Sequence, residues 1–73
     1  MNRNDERNGY EDLAIAVVKQ AVREYRAAKR RYKRGDDRAL GRVKEVEAFF
    51  KSSYGDVLCF GKAKEILKQL QGE

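Results

Sequence analysis

Six side chains in one stretch of this sequence have the type and spacing for electrostatic chemistry: Lys19, Arg23, Arg26, Arg30, Lys33 and Arg34. The first five are separated by 4, 3, 4 and 3 residues. At 3.6 residues per turn, that spacing stacks them into one ridge about 21 Å long, with Arg34 at its end. Leu13–Arg34 holds eight Lys or Arg against one Glu, a local balance of +7. Met1–Asp12 stands at −2 and Gly35–Glu73 at zero, which gives the chain its net +5. Guanidinium forks and ammonium groups in such a row suit one kind of partner, phosphates or the carboxylates of an acidic protein surface.

A plainer explanation has to be weighed beside this one. A helix with one apolar face needs a polar back, and Lys and Arg are good helix formers. A back that serves solubility alone usually interleaves both signs and gains i,i+4 pairs. Here the outer face holds only Asp12 and the flanking Glu24, while Arg30 and Arg31 are adjacent like charges. The shortage of acids favours a contact surface.

Other chemistry has few candidates. The chain has no His, so the usual general base at neutral pH and any Cys–His pair are absent. Glu47 lies four residues before Lys51 and reads as a solvated helix charge. Gly55 and Gly61 lack the lysine and hydroxyl residue of a phosphate loop. One Cys and no His leave no transition-metal site in one chain. Cys59 falls on an apolar face and reads as a small buried residue; a reactive thiol would need exposure and a nearby cation, which Lys62 could supply. Tyr25 and Tyr32 could stack on bases, but their place on the apolar side of the helix makes them core-edge residues first. The expectation is a protein that is not an enzyme and has no cofactor and no metal.

The elements that must position the ridge follow from periodicity. Residues 1–9 are polar and Asn-rich and read as a flexible tail ahead of a single helical domain over 10–73. A first helix is expected from Glu11 to Arg34. Its seam of Ala14, Val18, Ala21, Tyr25, Ala28 and Tyr32 repeats 4-3-4-3-4. Gly35 is a natural stop, and Asp36 or Asp37 is the expected cap of a second helix running to Lys51. The short turn makes the two an antiparallel hairpin. Ala39, Val43, Val46 and Phe50 form the second helix's buried stripe, and a close helix crossing would account for Gly41. Ser52–Gly55 breaks the pattern, Asp56–Phe60 reads as a short helical turn, and a third helix spans Lys62–Gln71 with Ala63, Ile66, Leu67 and Leu70 inward. The expected fold is all-α: a small three-helix domain, the long first helix antiparallel to the second and the short third helix closing the core.

Seventy-three residues make one domain of marginal stability. A lone Cys excludes an internal disulfide and fits a reducing compartment. The opening MNRNDERNGY has no apolar run of a secretory leader, and no stretch nears the roughly 20 apolar residues of a membrane span. A cytoplasmic protein without membrane contact is expected.

The runs AVVKQAVREYRAAKRRYKR and VKEVEAFFKSSYGDVLCFGKAKEILKQL carry a family resemblance. They resemble small helical proteins encoded by phages and integrative elements of Gram-positive bacteria. Those proteins combine an IxxQAVxDYRxAxxxL first helix, an ExFFxSxWFxxLT segment and a closing LIxKL helix. The matching positions are Lys19-Gln20-Ala21-Val22, Tyr25-Arg26, Ala28, Glu47, Phe49-Phe50, Ser52, Tyr54, Leu58, Cys59, Ile66-Leu67 and Leu70, spread over Ala14–Leu70. Tyr54 stands where the pattern has Trp, Cys59 where it has Thr, and Phe60-Gly61-Lys62 replaces its acidic-Gly turn. The resemblance implies a mobile-element protein in a bacterial host. Compact proteins in that setting are often inhibitors of host defence, of the anti-CRISPR kind, or DNA-binding accessory regulators. The leading expectation is a non-catalytic inhibitor that seats the basic ridge on an acidic or phosphate-rich surface of a host nucleoprotein complex. The alternatives are direct DNA or RNA binding with weak sequence preference, and a helical homodimer through the Ala14–Tyr32 face.

Overall fold

The computed structural model describes residues 3–73, with side chains from Gly9 onward. Four helices follow in order: α1 (Arg3–Lys33), α2 (Ala39–Lys51), α3 (Ser53–Leu58) and α4 (Ala63–Gln71), with no strand among the described residues. The fold is all-α, with the long α1 packed on α2. The expected count of three helices becomes four, because the segment after α2 closes into a helix of its own.

α1 begins earlier than its apolar period suggests. The tail expected over 1–9 falls partly outside the described residues, at Met1 and Asn2, and the backbone of 3–9 is the opening of α1. At 1.5 Å per residue its 31 residues extend about 46 Å, nearly the whole 48 Å long axis of the molecule. α1 is therefore the spine on which the shorter helices assemble.

Gly35 ends α1 as expected, in the left-handed region at φ 102°. The Asp36 amide donates to the Arg31 carbonyl and the Gly35 amide to that of Tyr32, both at 3.0 Å. This paired closure satisfies carbonyls that the helix end leaves open. The expected cap of α2 is corrected. Arg38 occupies the N-cap position, and the Asp36 carboxylate is spent on the turn, accepting from the Arg38 amide at 3.2 Å. Residues 36–40 wind as i→i+3 turns before α2 proper starts, which moves the first helical residue to Ala39.

The break expected over Ser52–Gly55 narrows to Ser52 alone. Its hydroxyl donates to the Phe49 carbonyl at 2.7 Å and accepts from the Gly55 amide at 2.9 Å, which ends α2 and caps α3 at one point. Gly55 is buried against the end of α2, so close that a Cβ there would run into the Phe49 carbonyl. α3 ends in the same paired closure as α1: the Gly61 amide reaches the Asp56 carbonyl at 2.8 Å and the Phe60 amide that of Val57 at 3.1 Å. Here the left-handed position is filled by Phe60, at φ 55°, where glycine is usual. That costs about 1–2 kcal/mol. α4 then starts at Ala63, with Lys62 as its N-cap.

One core joins the helices. α1 contributes Tyr25 and Ala28, and α2 contributes Ala39, Val43, Val46 and Phe50. Cys59 and the α4 residues Ala63, Leu67 and Leu70 complete it. The spacings 39-43-46-50 and 63-67-70 are single helix faces, so the 3.6 period alone puts these side chains inside. Tyr25 and Phe50 are the largest fully buried groups.

Two expectations are overturned. The Ala14–Tyr32 seam is consumed within the chain: Ala14, Tyr25 and Ala28 are buried, Val18 and Ala21 pack against the core, and Tyr32 stands 42% exposed. It is not a free face for a second copy. Gly41 lies at no helix crossing, for a Cβ there would meet nothing within 4 Å. Gly41 of α2 and Gly55 of α3 therefore behave oppositely. Gly41→Ala is expected to stabilise by about 0.5–1 kcal/mol through lower unfolded-state entropy. Gly55→Ala is expected to destabilise by about 2 kcal/mol or more by forcing the α2–α3 junction apart. Urea denaturation of the two variants checks both signs.

Candidate functional site

The side chain that sets the orientation of α1 is Tyr25. It is 1% exposed, and its hydroxyl donates to Glu47 Oε2 of α2 at 2.8 Å. With Tyr25 turned inward, helical spacing turns Lys19, Arg23, Arg26, Arg30 and Lys33 outward. All five are exposed, as is Arg34 in the turn that follows. The structure thus presents every base of the ridge at the surface, on the side of α1 away from its buried arc.

Their partners divide the row. Lys19, Arg30, Lys33 and Arg34 form no ion pair among the described residues. Arg23 reaches only Gln20 Oε1, at 3.3 Å. Arg26 is engaged: its Nε and Nη2 donate to the two carboxylate oxygens of Glu73 at 3.1 and 2.7 Å, a two-pronged pair across 47 positions of sequence. The bonds from Arg26 hold the Glu73 carboxyl below its ordinary range, and the same pairing raises the already high Arg26 value. Arg31, which lies off the row, turns to Asp36 at 3.5 Å.

Sequence reasoning missed two members of the surface. Lys29 lies off the ridge, half-buried, with Nζ 3.4 Å from the Leu70 carbonyl and 5.3 Å from the centre of the Tyr25 ring. A lysine near the C-terminal end of α4 complements the negative end of that helix. Glu73 sits far away in sequence, so only the fold brings it to the bases. Arg26, Lys29, Arg30, Lys33, Leu70 and Glu73 line a shallow concavity of about 200 Å³ where the end of α4 meets α1.

The opposite flank carries charge of both signs. Arg42 of α2 bridges Glu24 of α1 at 3.6 Å and Glu45 at 3.5 Å. It is the interleaved surface expected of a face that serves solubility, and the ridge lacks it.

The remaining reactive groups are quiet. Cys59 is 5% exposed, and burial, with the nearby Asp56 charge, raises its thiol above the ordinary value, which disfavours the thiolate. Lys62 is turned to Glu65 at 4.0 Å. No cluster of three His, Cys, Asp or Glu that could hold a metal occurs among the described residues. Among the described residues no helix is long and apolar enough to cross a membrane. No protein-family model, curated protein or solved structure matches the chain.

Burial, then the hydrogen bond to Glu47 and its charge, push the Tyr25 hydroxyl from 10.0 up to about 12. A value raised on folding means stability is fully present below the unfolded value and is lost as pH rises from there through the folded one. The wild-type chain is expected to lose roughly 2–3 kcal/mol between about pH 10 and pH 12 from this group. Tyr25→Phe starts less stable by about 1 kcal/mol from the lost bond and lacks that part of the alkaline slope. Denaturation midpoints across pH 9–12 for both proteins measure the difference.

Proposed function

We propose that this chain is a non-enzymatic binding protein that seats the basic face of α1 on the phosphate-rich surface of a nucleic acid or nucleoprotein complex. The observation that carries the reading is the row of exposed bases, of which only Arg26 has an acid partner among the described residues, on a helix whose rotation is fixed by its own core. A row spanning about 21 Å faces many charges of a duplex, which carries one per about 1.7 Å of axis. Long flexible bases on one helix can meet several of them without refolding. The exposed row is also continuous with the concavity at the end of α4, so the basic surface is wider than one ridge.

The resemblance to small phage and integrative-element proteins narrows the partner to a host defence complex, with inhibition of the anti-CRISPR kind as the outcome. A basic surface suits contact with the nucleic acid of such a complex, or with acidic residues around its channel, and argues against mimicry of DNA, which would need an acidic surface. In this role the charges chiefly set association rate and specificity. Plasmid interference by RNA-guided nucleases, with and without this protein, tests that narrower reading. Loss of interference with at least one nuclease type supports it, and unchanged interference across all types defeats it.

Direct binding is tested with labelled duplex and single-stranded DNA and RNA over about 50–200 mM salt. About four phosphate contacts predict a log–log slope near −3.5 on duplex. Arg23→Glu with Arg30→Glu is expected to weaken binding at least about tenfold and to flatten the slope by about two. Neither residue has an acid partner to lose, so the thermal midpoint is expected to stay put. Absence of binding at the lowest salt would remove direct contact with nucleic acid.

A further inference from the structure

The pairing of Glu73 with Arg26 is unlike the other ion pairs of the molecule. Arg38–Asp36, Arg31–Asp36, Arg42–Glu45 and Lys62–Glu65 are short-range pairs at 3.4–4.0 Å, and Arg42–Glu24, which also joins two helices, is a single contact at 3.6 Å. Arg26–Glu73 is long-range in sequence, two-pronged, and at 2.7 Å the shortest ion pair among the described residues. It sits in the shallow concavity where the end of α4 meets α1. Four bases line that concavity, and one carboxylate faces them. The group is left at +3, an excess that a single acid does not satisfy.

The backbone holds the carboxylate in place. Past α4 the Gly72 amide donates to the Lys68 carbonyl at 3.1 Å and the Glu73 amide to that of Leu70 at 3.3 Å. Lys29 Nζ approaches the same Leu70 carbonyl. The end of α4 is thereby tied to α1, and Glu73 is delivered to the one guanidinium that lies midway along the ridge. Both partners remain about half exposed, so the pair is open to exchange with an external anion. Exposed pairs of this kind are weak and screened by salt.

We infer that the Arg26–Lys29–Arg30–Lys33 cleft is an anion subsite for nucleic-acid phosphate, and that Glu73 is its internal occupant in the free protein. The carboxylate shows the geometry a phosphate would take, since the same guanidinium fork accepts two oxygens of either group. Phosphate is favoured over the carboxylates of a protein by charge density. Arg26 to Lys33 spans about 10.5 Å of helix axis, over which one DNA strand offers about three phosphates. That matches the surplus of the cleft with no need for adjacent acids forced together. Glu73 then acts as a built-in competitor that lowers affinity for isolated phosphates and yields to a continuous strand. This inference rests on the proposed binding role of the basic face.

The test compares Glu73→Gln with Glu45→Gln, which makes the same charge change on the opposite flank. Both are titrated with a labelled 20-base-pair duplex and with polyglutamate at about 100 mM salt. Glu73→Gln is expected to bind the duplex about two- to fivefold more tightly than wild type, and Glu45→Gln to gain clearly less, because its charge is screened beyond about 10 Å. Adding Arg26→Gln to Glu73→Gln is expected to abolish the gain. If wild type binds the duplex but the two single variants gain equally, Glu73 occupies no subsite, and the binding reading stands without it. A gain confined to polyglutamate overturns the phosphate assignment in favour of an acidic protein. No binding of either polyanion by any of the proteins overturns both the subsite and the reading beneath it.

Discussion

The burial of Tyr25 is the constraint on which the rest of the molecule depends. A helix about 46 Å long could be rotated in many ways against three short ones. Tyr25 allows one setting, because its ring is buried in the core while its hydroxyl needs a partner at the edge of that core. Glu47 supplies it at 2.8 Å, and Ala28, one turn on, lets α2 approach closely. The Lys29 ammonium lies over the ring, 5.3 Å from its centre. An unpaired buried hydroxyl would cost about 1–3 kcal/mol, a large share of the stability of so small a domain. The rotation of α1 is thus fixed by chemistry inside the core, and the outward direction of the bases is its consequence.

The same helix therefore serves as scaffold and as surface, and the two uses limit each other. The flank toward α2 mixes signs, with Arg42 between Glu24 and Glu45. The ridge has no such relief until Glu73 arrives from the other end of the chain. Mutual repulsion among the bases opposes folding, and the core on the far side of the helix offsets it. Phe60 adds a second local cost, since a bulky residue in the left-handed position of the α3 closure is strained where glycine would not be. Both costs lie at the surface.

Much of this was legible in sequence, because it depends on period. The buried stripe of α2, the inward face of α4, the stop at Gly35 and the exposure of all six predicted bases follow from local spacing and helix-end chemistry. What stayed hidden depends on tertiary placement. Nothing local says that Glu73 reaches Arg26, that Gly55 touches the Phe49 carbonyl while Gly41 faces open space, or that Lys29 belongs to the basic surface. Ser52 was misjudged for a related reason: a single hydroxyl serves two helix ends at once, so a segment that reads as a loop is a one-residue joint. Asp36 was assigned to a cap because its type suits one, whereas the i→i+3 turns ahead of Ala39 bring its carboxylate to the Arg38 amide instead. The seam Ala14–Tyr32 was expected to meet the second helix, with a partner chain as an alternative, and it is the packing of α2 and its neighbours on α1 that uses it.

The central claim is that the basic face of α1, with the cleft at the end of α4, is where this protein meets a phosphate-bearing partner. Backbone and arginine side-chain NMR shifts, followed during titration with a short DNA duplex, test it residue by residue. The account predicts shifts concentrated at Lys19–Arg34 and at Glu73, with the Arg26 Nε resonance moving as its carboxylate partner is replaced. Shifts centred instead on Tyr54, Val57 and Phe60, or no shifts at about 50 mM salt, would contradict it.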